Sequence, residues 1–167
     1  MLVYKSGATH IHRQNQTHAL AEEYIEGREI YVGVIGNQKL QAYTPWELVM
    51  TNLPEGSQNI ATGKAKWDVE YQKKIGLVTR PAKLEPQLKK EFERLSKRIY
   101  RILGLSGYAR IDYRLTEDGR MYVLEVNPNS QIAHNEDFAD SAEHCGVKYP
   151  DLLQKIMTLA VSYDPMK

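Results

Sequence analysis

The chain has 167 residues, 42% of them hydrophobic and 26% charged, with a formal net charge of +1. That is enough for one domain with its own core, and it excludes both a disordered chain and one basic enough to have nucleic acid as its main partner. No run approaches the roughly 18 apolar residues needed to cross a bilayer, and Met1–Leu2–Val3 gives way at once to polar residues, so no membrane span or signal peptide is read.

The first eighteen residues carry weak periodicity and read as a solvated arm. His10, His12 and His18 lie in it, but no carboxylate or cysteine completes a metal set. Leu20 to Asn37 reads as two strands: Tyr24–Ile25 in the first, and Ile30, Val32 and Val34 alternating with Tyr31, Gly33 and Ile35 in the second. Gly27 separates them, and Gly36–Asn37 signals a hairpin turn leading to Leu40–Tyr43. Leu53–Asn59 has loop chemistry. Ile60–Trp67 reads as a short strand, followed by a lysine-rich stretch from Lys64 to Lys74. Leu88, Phe92, Leu95, Ile99 and Ile102 recur at helical spacing between Glu85 and Leu103, giving one amphipathic helix that Gly104 ends.

Two further strands follow, Tyr108–Leu115 and Met121–Val126, then a polar loop from Asn127 to Asp137 and two helices near Phe138–Cys145 and Pro150–Tyr163. The order predicts an α+β fold with an antiparallel β-sheet packed with helices. The single cysteine, Cys145, excludes an internal disulfide and a cysteine metal cluster, fits a reducing cytoplasm, and reads as buried packing rather than a nucleophile. The eleven tyrosines are scattered and form no stacking platform.

The chemistry concentrates in Gly107–Asn129, GYARIDYRLTEDGRMYVLEVNPN. With Asp118–Gly119 as a two-residue type I′ turn, Asp112 falls opposite Glu125 and Arg110 opposite Asn127, all on one face. Ala109, Ile111, Tyr113, Leu124 and Val126 share the other face, the core side. Carboxylates facing each other across a ladder repel. Three arrangements relieve this: one carboxylate protonated, Arg110 paired with both, or a divalent cation between them. With the side-chain oxygen of Asn127 they make a hard, oxygen-only donor set of the kind Mg²⁺ takes. A surface ion-pair face involving Arg110 and Arg114 accounts for the same residues without a cation.

RIDYRL followed by YVLEVNPN resembles the metal-binding hairpin of the ATP-grasp superfamily, in its D-alanine–D-alanine ligase-like branch. The resemblance implies a C-terminal subdomain of an ATP-grasp fold that uses ATP and two Mg²⁺ ions to join a carboxylate to an amine through an acyl phosphate. In that reading Asp112, Glu125 and Asn127 are the metal ligands, and Arg110 stabilises the charge on the reacting acyl phosphate. AEEYIEGREIYVGVIGN at Ala21–Asn37 resembles the nucleoside-gripping block. There Glu22 meets the adenine amino group, Glu23 and Ile25 frame the base, and Glu29 takes the ribose hydroxyls. GKAKWDVEYQKK at Gly63–Lys74 resembles the loop closing over the phosphates, with Lys66 as the contact and Lys64 as its alternative.

The resemblance runs from about Ala19 to Tyr163, and the segment Asn127–Asp137 departs from the family's usual glycine-containing acceptor pattern. It implies a domain over 19–167, preceded by the 1–18 arm, that works with N-terminal and central lobes of a larger cytoplasmic ligase. Small-molecule carboxylate and amine substrates are its implied partners. A homodimer is one way to cover an exposed apolar face, and a non-catalytic nucleotide-binding or assembly module is the alternative function.

Overall fold

Alternating Ile30, Val32 and Val34, fully buried, make Arg28–Ile35 (β1) a central strand. In the computed structural model, which describes residues 2–163 with side chains from Thr9 onward, β1 pairs along its whole length with Tyr108–Leu115 (β5). Gln41–Ala42 (β2), Trp46–Met50 (β3), Leu77–Pro81 (β4) and Met121–Asn127 (β6) complete the sheet. Its order is β4-β3-β1-β5-β6, with β2 against the end of β1, and every pairing is antiparallel.

The two faces of this sheet differ in chemistry. On one, Ile30, Val32, Val34, Ala109, Ile111 and Tyr113 meet Phe92 and Tyr100 of the helix Pro86–Ile102 (α4). Pro86 opens α4 at its first turn, where a missing N–H costs nothing, and Gly104 leaves it in the left-handed region at φ 62°. Buried hydroxyls find partners: Ser96 Oγ lies 2.7 Å from the Tyr113 hydroxyl, and the Tyr100 hydroxyl donates to the Gly36 carbonyl at 2.9 Å. The opposite face carries Glu29, Tyr31, Asp112 and Arg114. The helices Asp137–His144 (α5) and Tyr149–Val161 (α6) close one end of that face through Phe138, Ala142 and Leu152 packed on Ile35 and Tyr43.

Several elements differ from the sequence expectation. The first eighteen residues carry a helix, Leu2–Asn15 (α1), and its described side chains are almost all exposed. Tyr24–Ile25 forms no strand, because the charged stretch before Gly27 lies outside every ladder of the sheet. Ile60–Trp67 is not extended. Thr62 accepts from the Ala65 amide and starts a helical turn at Gly63–Trp67 (α2), and Asp68 caps the next helix, Val69–Ile75 (α3), through the Tyr71 amide.

The β5–β6 turn is one residue longer than a two-residue loop. Thr116 donates its N–H to the Arg120 carbonyl, enclosing Glu117–Gly119 with Gly119 at φ 83°. A bulge at Leu124 absorbs the extra residue, so Tyr113 faces Val123 while Asp112 still faces Glu125. Leu124 is therefore a half-exposed bulge residue and not part of the core. Cys145 is likewise exposed, with its Sγ 3.3 Å from the Thr44 amide. Among the described residues no helix is long and apolar enough to cross a membrane.

Candidate nucleotide and metal site

The polar sheet face places the hairpin residues as the alternation requires. Asp112 on β5 is the direct partner of Glu125 on β6 and of Tyr31 on β1, and Arg110 is the partner of Asn127 and Gly33. Asp112 is 5% exposed, whereas Glu125 is open to solvent. Arg110 grips Asp112 with a two-pronged pair: Nε to Oδ1 and Nη2 to Oδ2, both at 2.8 Å. Its remaining terminal nitrogen, Nη1, reaches Asp137 Oδ2 at 3.4 Å, and the guanidinium lies 4.3 Å above the Tyr31 ring.

These contacts show how far Arg110 relieves the carboxylate pair. Arg110 neutralises Asp112, and among the described residues its hydrogen bonds go to Asp112 and Asp137 rather than to Glu125. Burial pushes the Asp112 carboxyl above its ordinary range. The Arg110 bonds and charge pull it back, and the charges of Glu125 and Glu29 push it up again. For Arg110, burial pulls downward most strongly, but its bonds to Asp112 and the surrounding carboxylates outweigh it and hold the guanidinium charged.

Asp112, Glu125 and Asn127 offer oxygen alone, which suits a hard divalent cation. Among the described residues no three His, Cys, Asp or Glu side chains gather as a metal cluster. A cation here would use two carboxylates and an amide, and would complete its shell with water or phosphate oxygens, a habit of Mg²⁺. The Asn127 Oδ1 already accepts the Asn129 amide at 3.0 Å, which fixes its orientation and leaves a lone pair. The residues fit the ion, provided that Arg110 shares Asp112.

Further along the same face, Glu29 is buried. It accepts the Tyr31 hydroxyl at 2.7 Å and pairs with Arg114 Nη2 at 3.2 Å. Arg114 also donates to the Gly27 carbonyl at 3.3 Å and the Asn59 carbonyl at 3.0 Å, tying the 53–62 loop to the sheet. Glu23 and Ile25 line a cleft of about 1060 Å³ bounded by Gly27, Asn59, Leu115 and the β5–β6 turn, while Glu22 is exposed outside that lining. Lys66 is exposed on α2, and Lys64 places its ammonium 4.7 Å from the centre of the Tyr71 ring. No described contact brings Lys66 to the hairpin carboxylates.

Asp137 was not legible as a site residue. Its only sequence signal is an acid in the first turn of a helix, where the dipole favours it. Burial pushes its carboxyl up, and a Thr79 hydrogen bond and the Arg110 charge partly offset that.

Residues 6–158 match the family described as D-ala D-ala ligase C-terminus. The uncharacterized protein y4sG of Sinorhizobium fredii is 32% identical over 142 residues, which are 85% of this chain and 40% of that protein. A D-alanine–D-alanine ligase of Geobacillus kaustophilus is 31% identical over 144 residues, 85% of this chain and 36% of the ligase. Among solved structures, a D-alanine–D-alanine ligase from Bacillus anthracis complexed with ATP matches with a TM-score of 0.62 at 23% identity. That match covers 84% of this chain and 40% of the ligase, and it is a likeness of fold. The chain thus spans about two-fifths of the length of the relatives it matches.

Proposed function

The chain belongs to the D-alanine–D-alanine ligase C-terminal family of the ATP-grasp fold, and from that premise we propose that it carries the nucleotide and metal half of a carboxylate–amine ligase. The observation that carries the reading is the pair Asp112 and Glu125, held side by side on one sheet face with Asn127 next to them. Like charges placed this way repel, and the Arg110 pair compensates Asp112 while leaving Glu125 for a cation.

In the reaction proposed, ATP phosphorylates a carboxylate, and an amine attacks the resulting acyl phosphate, releasing ADP and phosphate. Asp112, Glu125 and Asn127 would hold Mg²⁺, two ions in a complete site, whose charge offsets that of the phosphate oxygens. Arg110 stabilises negative charge growing on the acyl phosphate, a task suited to a guanidinium that stays charged in a part-buried position. Glu29 receives the ribose hydroxyls. Tyr31 and Arg114 occupy two of its acceptor positions and hold the carboxylate still, which leaves others free. Glu22, Glu23 and Ile25 frame the adenine, and Lys66, with Lys64 as its alternative, meets the phosphates when α2 closes. Small-molecule carboxylate and amine substrates, and the further lobes of a longer ligase, complete the reading.

Isothermal titration with Mg-ATP tests it, paired with ADP release over amino acids and small peptides. Binding that Asp112→Asn removes supports the assignment, and unchanged affinity in that variant refutes it. Binding without ADP release in the longer ligase would favour a non-catalytic nucleotide-binding module.

A further inference from the structure

Arg110 is over-subscribed. Asp112 and Asp137 hold the guanidinium by contact, Glu136 adds its charge to theirs, and Glu125 lies across the ladder from Asp112. Glu29 has its own partner in Arg114. A cation drawn to Asp112 competes with Arg110 for the two oxygens it now holds, and its charge repels the guanidinium. A part-buried guanidinium gives up a carboxylate at less cost where another partner waits.

We propose that Asp137 is that partner: a positioning residue that receives the Arg110 guanidinium when a divalent cation takes Asp112. The inference rests on the metal reading given above. Its geometry is in place. Asp137 Oδ2 already lies 3.4 Å from Nη1, longer than the 2.8 Å bonds to Asp112, so a modest swing over the Tyr31 ring shortens the one as it lengthens the others. Asp137 is itself fixed, because the next residue, Phe138, wedges α5 onto the sheet. The Phe138 ring stands edge-on to Tyr43 and to Tyr108, with centroids at 5.5 and 5.4 Å. A Cβ on Gly33 would come within 3.0 Å of the same ring, so α5 sits as close to β1 as glycine allows. Asp137 thereby holds Arg110 over the sheet face, where the reacting group of the proposed chemistry would lie.

The test uses Mn²⁺ as the probe, with free ion followed by electron paramagnetic resonance, so no turnover is needed. Asp137→Asn should weaken Mn²⁺ binding by about 10-fold, the usual cost of losing a partner that orients a metal site. With Arg110→Gln as background the competing cation is gone, and adding Asp137→Asn should change nothing. A purely structural role for Asp137 would weaken binding equally in both backgrounds and would overturn the proposal. So would unchanged affinity in the single variant. If Asp112→Asn binds Mn²⁺ as the unmodified chain does, the metal reading itself fails and the inference falls with it. If instead Asp112→Asn loses the ion while Asp137→Asn keeps it, only the inference fails. Urea midpoints confirm that each variant folds. Asp137→Ser, which also suits the first turn of a helix, carries the same expectations should the asparagine variant not fold.

Discussion

Replacing Arg114 with methionine would remove one partner of the most deeply buried ion pair on the sheet face. The Arg114 and Glu29 side chains are 5% and 10% exposed. Methionine keeps much of the aliphatic volume but leaves the Glu29 carboxylate with only the Tyr31 hydroxyl, and leaves the Gly27 and Asn59 carbonyls without their donor. Breaking a buried pair from one side costs about 3–5 kcal/mol. At roughly 2–4 °C per kcal/mol for a domain of this size, the melting temperature should fall by about 6–20 °C. The lower end is the better expectation, because Arg114 Nε has no partner and its loss removes no bond. Glu29→Gln in the same chain removes the stranded charge while still accepting from Tyr31, so the double variant should recover about 1–3 kcal/mol relative to the sum of the single changes. Urea unfolding followed by circular dichroism, with m unchanged, measures both quantities. A loss below about 1 kcal/mol for Arg114→Met, or additivity within about 0.5 kcal/mol, would refute the view that Arg114 is there to carry Glu29.

In metal-free protein, Glu125→Gln should raise stability by about 0.2–1 kcal/mol by removing a like charge opposite Asp112, while lowering Mg-ATP affinity; a loss of stability by urea midpoint would contradict the repulsion argument. Burial raises the Asp137 carboxyl in the folded chain, so its proton stabilises the fold fully below the unfolded value near 3.9, and that contribution is lost as pH rises through the raised folded value. Asp137→Asn should therefore flatten the decline in stability over that window, and urea midpoints across pH that steepen instead would reverse the sign. Gly33→Ala should cost about 1–3 kcal/mol by forcing the Phe138 ring off β1, measured by thermal unfolding.

The elements legible from the residues were those whose periodicity answers to a single buried face. β1, β5 and α4 meet across one apolar layer, and their patterns carry that layer directly. β3 and β4 carry no such pattern. Trp46–Met50 begins directly after Pro45, and Leu77–Pro81 is an edge strand whose exposure alternates but whose apolar residues do not, because Val78 lies on the exposed side. The strand expected over Ile60–Trp67 gave way because two capping side chains, Thr62 and Asp68, satisfy helical amides that an extended chain would leave open. The Arg110–Asp137 and Arg114–Asn59 contacts join positions 27 and 55 residues apart, and no local pattern encodes them.

The hairpin shows which force sets the site. A two-residue turn and an unbroken ladder predict Asp112 opposite Glu125. The chain uses a longer turn, which would by itself slide every pair by one residue and send Glu125 toward the apolar face. What restores the pairing is the demand of that face: Ile111 is fully buried, and Val126, packed on the same core, is its partner. The bulge at Leu124 is the device that reconciles turn and core, and it leaves an apolar side chain half-exposed. The juxtaposition of two carboxylates is therefore imposed by the core in spite of their repulsion. Ladder regularity and the burial of Leu124 are given up to keep Ile111 and Val126 against the core, and the facing of Asp112 and Glu125 follows from that register.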